Sequence, residues 1–555
     1  MAADLPFFLY TNVYCRYIPK LFKISIIMDI NVIGGIYFMK RQSLIRGTLI
    51  LGAAGIAAKF LGLFFRWPLQ MLIGDEGVGY YQMSFPLYMF FIAAASGIPI
   101  AISKMVSERN AVNDSEGTIQ VLRKAMLLMI IMGTGFTVCL LIFSHQIISF
   151  LKWDNKSYYS LIGIAFAPIF ISIMSALRGF FQGMQNMSYT AASQLLEQIG
   201  RVVVGVSLAY IFLPKGIEYS AGGAAIGASA GGIIGGIYLI FKYLKVRKEF
   251  KFIRVKNDFT ILGQLLRIAI PISVGAAVST IMNLLDSGIV PQKLLEAGFT
   301  YKESTILYGQ LTGKAFILTN LPLTVSGALC ASLIPIIAEA YILRRRVQVI
   351  QKVEMAMRIS MVISMPSFLG LYFLSFPILN LIFPGQAAGY QILKYLSISI
   401  PFIILAQTST AILQGIGIYT MPVVNLALGC VVKVILTIIL VPIPEINIYG
   451  AVIGTIFGYI IASVLNMMLL RKALNITINF YNVIIKPSFA SLLMIIAVVL
   501  IYENVYNYTM SSNISCIVSI LSGALFYGIL ILVFGVFNYR YIRNRLWKKR
   551  RREII

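Results

Sequence analysis

From residue 40 onward the chain alternates between long apolar runs and short polar or charged links. A helix that crosses a bilayer takes roughly 20 apolar residues. Fourteen runs meet that length, at 44–72, 78–103, 122–147, 158–183, 188–212, 219–241, 260–289, 314–340, 352–383, 389–414, 419–442, 448–470, 482–502 and 514–538. They are far longer than the ~10-residue alternating segments of a membrane barrel. The pattern therefore predicts an all-α polytopic membrane protein with fourteen transmembrane helices. Residues 1–38 hold only short apolar patches, and Met39-Lys40-Arg41-Gln42 reads as a natural start, with basic residues directly ahead of the first run. Residues 1–39 are expected to form a poorly ordered leader or to reflect a start placed ahead of the natural one; a cleaved signal peptide is disfavoured, since no small-residue cleavage site follows a clear apolar core.

The links differ in charge, and the difference alternates. Lys40, Arg41 and Arg46 precede the first run, while Asp75 and Glu76 follow it. Lys104, Arg109, Arg123 and Lys124 lie between runs two and three, and Arg344, Arg345, Arg346 and Lys352 between eight and nine. The link at 242–259 carries Lys242, Lys245, Arg247, Lys248, Lys251, Arg254 and Lys256, and the chain ends in "WKKRRREII". The opposite links hold few charges, such as Glu218, Glu445 and Glu503. Basic links mark the cytoplasmic side, so both termini are expected inside, which agrees with an even number of spans. The tail at 539–555 reads as a topology anchor.

The chain also repeats itself. Gly-Ala-Ala at 52–54 recurs at 275–277, "FQGM" at 181–184 as "LQGI" at 413–416, and "GAAIG" at 223–227 as "GAVIG" at 450–454. Several matches in one order indicate a duplication. Six spans per half put both halves in the same orientation, a parallel repeat about an axis along the membrane normal. Transporters with such halves hold substrate between them and rock one half against the other. The expected organisation is a first lobe at 40–241, a basic linker at 242–259, a second lobe at 260–470 and two appended spans within 471–538. The small-residue stretch "GGAAIGASAGGIIGG" at 222–236 suits close helix packing in lipid. "GQLTGKA" at 309–315 is short of a Walker motif, with three residues between its glycines and Ala315 in place of the hydroxyl residue.

Composition narrows the function classes. Of 555 residues, 59% are hydrophobic and 12% charged, with a net charge of +26. The positive charge sits in the links, not on a soluble basic face, so nucleic acid is not an expected partner. The five cysteines are scattered singly and His145 is the only histidine, which disfavours a metal cluster or a disulfide framework. No cofactor is expected.

Charges inside the apolar runs carry the chemistry. Each costs about 2.5–3.5 kcal/mol at a helix centre on insertion scales, and such groups usually face an interior cavity. They are Lys59 and Arg66 in run one, Arg178 in run four, Glu197 and Arg201 in run five, Asp286 in run seven, Lys314 opening run eight and Lys433 in run eleven. Six cations against two acids suggest an anionic ligand in a central cavity, with Lys59, Arg66, Arg201, Lys314 and Lys433 as headgroup-binding candidates. Lys59 and Arg66 are two turns apart and look along nearly the same face. Glu197 and Arg201, four apart, could pair with each other, Arg178 could snorkel to the interface, and Asp286 could pair with Arg66. The two acids could instead hold a coupling cation.

The ordered set "AKFLGLFFRWPLQMLIGDEGVGYYQ" (58–82), "SGIPIAISKMVSE" (96–108), "ALRGFFQGMQNM" (176–187) and "LPLTVSGALCASLIPIIAEA" (321–340) resembles the multidrug/oligosaccharidyl-lipid/polysaccharide exporter superfamily. Within it the chain is most similar to the polysaccharide-biosynthesis-type branch of endospore formers. The resemblance implies a monomeric flippase in the cytoplasmic membrane that moves an undecaprenyl-pyrophosphate-linked saccharide outward. The implied cargo is the peptidoglycan precursor lipid II for spore cortex. It implies Na+, H+ or the membrane potential as the driving force and no enzymatic activity. In the related lipid II flippases basic residues line the first-lobe cavity; Lys59 falls on the first such position and Arg66 within one residue of the second. The family's basic residue of span two has no counterpart in "YMFFIAAASG", and that of span eight falls near Ile317, a turn from Lys314. The competing readings are a flippase for another lipid-linked polysaccharide unit, a multidrug/cation antiporter, which wants an acidic cavity, and a membrane transferase, which wants paired carboxylates such as DxxD that the cytoplasmic links lack. The topology predicts that a C-terminal tag is labelled only after cells are permeabilised; labelling of intact cells would refute it.

Overall fold

The computed structural model describes residues 44–247, 260–475, 479 and 481–536. The expected leader, most of the basic linker and the basic tail lie outside the described residues. Among the described residues all regular structure is helical, as the apolar runs require. In chain order the helices are α1 (Leu44–Ala95), α2 (Gly97–Ala111), α3 (Ser115–Ile142), α4 (Ser144–Leu151), α5 (Tyr158–Ala165), α6 (Ala167–Gly183), α7 (Met187–Phe212) and α8 (Ile217–Arg247). There follow α9 (Thr260–Glu296), α10 (Tyr301–Gly309), α11 (Phe316–Ile342), α12 (Arg346–Phe373), α13 (Ser375–Ile382), α14 (Tyr390–Leu396), α15 (Ile400–Gly415), α16 (Thr420–Leu440), α17 (Tyr449–Leu474), α18 (Lys486–Thr509) and α19 (Ser512–Val533).

Eleven helical runs among the described residues, not fourteen, are long and apolar enough to cross a membrane. The difference has visible sources. Ala53–Ala111 is one run of 59 residues that contains two expected spans. At about 1.5 Å per residue it is far longer than a ~30 Å hydrocarbon core is thick. The chain turns inside it at Gly74, whose φ of 62° and ψ of −169° lie in a region open essentially to glycine alone. Expected spans seven and eight are helical in α9 and α11 but fall outside the eleven.

The packing repeats as the sequence does. α7 lies on α8 as α16 lies on α17, α3 on α6 as α12 on α15, α2 on α6 as α11 on α15, and α6 on α8 as α15 on α17. The appended helices α18 and α19 pack on each other, and α18 rests on α12.

A ladder of glycines sets the closest of these contacts. A Cβ on Gly223, Gly227, Gly231 or Gly235 of α8 would stand 2.8, 2.8, 2.5 and 3.1 Å from the carbonyl oxygens of Leu208, Arg201, Glu197 and Ser193 on α7. The spacing of four keeps all four glycines on one face, so the two backbones touch. The second half does the same. Cβ atoms on Gly454 and Gly458 of α17 would stand 2.8 and 2.7 Å from the carbonyls of Lys433 and Gly429 on α16. In lipid, where apolar burial drives little association, such backbone contact is a main source of helix affinity.

Overpacking by a side chain typically costs about 1–3 kcal/mol, and at Gly227 the obstacle is backbone. Gly227→Val is therefore expected to lower the melting temperature of the full-length protein in detergent. Gly55→Ala, whose Cβ would meet nothing within 4 Å, should leave it unchanged. Equal melting curves for Gly227→Val and wild type would refute the ladder.

Candidate functional site

The first arm of α1 has two distinct sides. Phe60, Phe64, Trp67 and Met71 are 56, 65, 49 and 39% exposed and form one apolar stripe. On a 3.6-residue wheel, Lys59 and Arg66 lie about 110° and 130° from the centre of that stripe. Both lie to one side of the direction of Gly62, about 60° and 40° from it, where a Cβ would sit 3.8 Å from Oε1 of Gln198 on α7. Lys59 is exposed and Arg66 partly so. Neither takes part in the ion pairs of the described residues. The Arg66 guanidinium stands 5.8 Å from the centre of the Phe85 ring, and its Nη1 is buried without a hydrogen-bond partner. Tyr81 and Arg201 are its electrostatic neighbours.

Next to this arm, α7 offers a carboxylate between two guanidiniums. Nη2 of Arg178 donates to Oε2 of Glu197 at 3.0 Å and Nη2 of Arg201 reaches Oε1 at 3.2 Å. Arg178 also donates to Oγ of Ser193 at 2.8 Å, and Arg201 to the Tyr88 hydroxyl at 3.0 Å. The expected Glu197–Arg201 pair is present. The expectation that Arg178 snorkels is corrected: Glu197 draws it inward, 19 residues away on the next helix. The glycine ladder produces this arrangement, because Gly227 and Gly231 press α8 on the backbone of Arg201 and Glu197. With Arg66 beside it, the cluster has three guanidiniums and one carboxylate. Arg201 keeps a second unsatisfied group, since its Nε is buried with no partner.

The other two candidate cations are neutralised across helices. Nζ of Lys433 on α16 lies 2.5 Å from Oδ2 of Asp286 on α9, both buried. The expected Asp286–Arg66 pairing is thus corrected, because α9 packs on α16 and turns Asp286 to Lys433. Lys314 is fully buried. Its Nζ stands 2.5 Å from Oδ1 of Asp75 and donates to the carbonyls of Gln386 and Ala388 at 2.7 and 3.1 Å. In this conformation neither ammonium is open to a ligand.

The Lys314–Asp75 pair belongs to a seam that joins the two halves at the end opposite the basic links. Gln70 donates to Asp75 at 2.6 Å and to Gln386 at 3.0 Å, and Gln310 donates to Asp75 at 2.9 Å. Lys302 lies 3.2 Å from Glu76, and the Trp153 indole donates to the carbonyl of Ser287 at 2.6 Å. The seam is tight because Gly79 meets the Thr305 carbonyl and Gly309 meets the Asp75 carbonyl, where a Cβ would overlap. α10 is held at its start by a reciprocal cap between Thr300 and Glu303, whose carboxyl is pulled below its usual range by the Thr300 backbone amide. "GQLTGKA" is this seam: a π-helical turn at Gln310–Ala315 that presents Gln310 and Lys314 to Asp75. Sequence reasoning missed Asp75, Gln70, Gln386 and Tyr88 as partners. The one available signal was the acidic pair Asp75-Glu76 beside the Gly74 break.

Comparison with known proteins agrees with this architecture. Residues 44–341 match the family model described as polysaccharide biosynthesis protein. Stage V sporulation protein B of Bacillus subtilis (strain 168) is 30% identical over 518 residues, covering 91% of this chain and 98% of that protein. Lipid II flippase MurJ of the same organism is 27% identical over 455 residues, covering 78% of this chain and 83% of that one. Among solved structures, a lipid II flippase MurJ in an inward closed conformation superposes with a TM-score of 0.66 at 17% identity, over 89% of this chain and 99% of that one. An inward-facing multidrug resistance transporter of the MATE family and MOP superfamily superposes at 0.63 and 17% identity, over 75% and 94%. This multi-pass membrane chain, with its MATE-like helical fold, belongs to the polysaccharide biosynthesis protein family.

Proposed function

We propose that the chain is a flippase that carries an undecaprenyl-pyrophosphate-linked saccharide from the cytoplasmic to the outer face by alternating access, with lipid II for spore cortex as the cargo. The observation that carries this reading is the uneven charge of the interior. In the second half Lys433 is cancelled by Asp286, and Lys314 is cancelled at the seam by Asp75. In the first half Arg178 and Arg201 share Glu197, Arg66 stands beside Arg201 without a carboxylate of its own, and Lys59 adds a fourth cation on a side of α1 turned away from its apolar stripe. A pyrophosphate supplies the missing negative charge, and Arg66 offers it a buried, unpartnered Nη1. Guanidinium suits this role because its fork matches phosphate oxygens and does not lose its charge on burial. The polyprenyl tail stays in lipid throughout.

A cationic drug would need a free carboxylate, and Glu197 and Asp286 are both held by internal cations, which opposes the antiporter reading. The same engagement bears on energy coupling. A bound Na+ or H+ at either acid would have to displace a guanidinium or an ammonium. The potential alone favours outward movement of a negative headgroup by about 2.3 kcal/mol per charge per 100 mV. With the basic links cytoplasmic, the Asp75–Lys314 seam is the outer gate, and each protomer holds a complete site, so the chain works as a monomer without enzymatic chemistry.

Lys59→Ala and Arg66→Ala are expected to cut cargo movement at least tenfold, about 1.4 kcal/mol. The measurement is cortex formation in a sporulating host lacking its own copy, with protein abundance checked in the membrane fraction. Normal cortex with both variants at normal abundance would remove these residues from the mechanism. A second prediction concerns the gate. Removing one partner of a buried pair leaves the other uncompensated, at a cost of about 3–5 kcal/mol, so Asp75→Asn should loosen the closed seam. Thr305→Cys, buried against Gly79 in a background without other thiols, should react about tenfold faster with an impermeant thiol reagent when Asp75→Asn is added. Unchanged labelling would show that the pair does not hold the gate.

A further inference from the structure

A recess of about 490 Å³ lies at the ends of α11, α12 and α17, lined by Tyr341, Arg344, Arg346, Val349, Ile350 and Leu474 together with Ala473. It is far from Lys59 and Arg66 in the chain and sits on the side of the basic links. Its volume falls in the ~300–1,000 Å³ range typical of small-molecule sites. Its lining is amphipathic: two guanidiniums and a phenol at the rim, and aliphatic side chains below. Leu343 and Val347, beside it, are 51 and 68% exposed, an apolar edge next to a cationic one.

The way α11 ends fixes the backbone of Arg344. The amide of Arg345 bonds the carbonyl of Ala340 at 3.1 Å and that of Arg344 bonds Tyr341 at 3.0 Å, which is the helix-ending loop that favours glycine at its left-handed position. Arg344 occupies that position, with φ of 53°. A glycine would cost less there, yet the chain places an arginine whose guanidinium has no hydrogen bond or ion pair among the described residues. Arg346 is held differently: its Nη2 donates to the carbonyl of Asn475 at 3.2 Å and fixes the start of α12 to the end of α17. A topology anchor needs positive charge on this side, but it does not need a recess.

We propose that this recess binds a phosphate-bearing anion, the headgroup of an anionic phospholipid of the cytoplasmic leaflet, with Arg344 and Arg346 on the phosphate and the acyl chains lying along Leu343 and Val347. Basic recesses between helices on the cytoplasmic side are suited to such headgroups. The site is separate from the cargo pathway, and its occupancy joins the ends of α11, α12 and α17.

The test uses the full-length protein in nanodiscs of phosphatidylcholine, with or without one fifth phosphatidylglycerol, and reads the melting temperature. Phosphatidylglycerol is expected to raise it for wild type and for Arg345→Ser, whose arginine does not line the recess. The rise should vanish for Arg344→Gly, which removes the guanidinium while easing the backbone, so that this variant melts higher than wild type in phosphatidylcholine alone. Arg344→Ser combined with Arg346→Ser should also lose the rise. Inorganic phosphate at 10 mM should have no effect. Loss of the rise in Arg345→Ser as large as in Arg344→Gly would overturn the site in favour of diffuse surface charge. A shift produced equally by free phosphate would overturn the lipid as its source, and an unchanged lipid response in Arg344→Gly would overturn the site itself.

Discussion

A charged side chain inside a membrane protein needs a counter-charge or access to water, and the cost of lacking both is several kcal/mol. The embedded ion pairs among the described residues answer to that condition in different ways. Lys433 and Asp286 meet it as an isolated pair. Lys314 and Asp75 meet it only while the two halves touch. Arg178, Glu197 and Arg201 meet it in part, and with Arg66 they leave positive charge over. The sorting separates groups that hold the fold, groups that hold a conformation and groups with something left to bind.

The duplication makes the sorting easier to see. Arg201 and Lys433 sit at matching places in the two halves. In each case a glycine of the following helix, Gly227 or Gly454, lies against the carbonyl of the cationic residue. The backbone frame was therefore copied, while the electrostatics diverged. One copy draws its acid from its own helix and shares it between two guanidiniums. The other draws a single acid from α9 and ends neutral. The two halves thus differ in charge balance without differing in this packing.

The seam between the halves combines two kinds of interaction with different ranges. Glycine contacts at Gly79 and Gly309 act only when the backbones touch, whereas the Lys314–Asp75 attraction extends further and strengthens as water is excluded. Together they favour one closed arrangement over a continuum of partly open ones. That is the behaviour the proposed alternating access requires of a gate.

Much of this was legible in the amino-acid order. Apolar runs of about 20 residues dictate helices in a bilayer because no other solvent-free backbone arrangement satisfies its hydrogen bonds over such lengths. The repeat and the small residues of 222–236 are local patterns; the repeat recurs in the helix contacts, and the small residues do lie where two backbones approach closely, though only the structure names α7 as the partner. The presence of embedded charges was also visible, as was the pair four apart at Glu197 and Arg201. Which charge meets which across helices was not. Asp286 turns to Lys433 and not to Arg66, Arg178 is drawn to Glu197, and Lys314 finds Asp75 from the far half of the chain. Electrostatic partnership depends on distances of a few ångströms between helices remote in sequence, and those distances are set only when the helices pack. The sequence by itself determined that there would be more cations than acids in the interior; the tertiary structure decided where the excess was left.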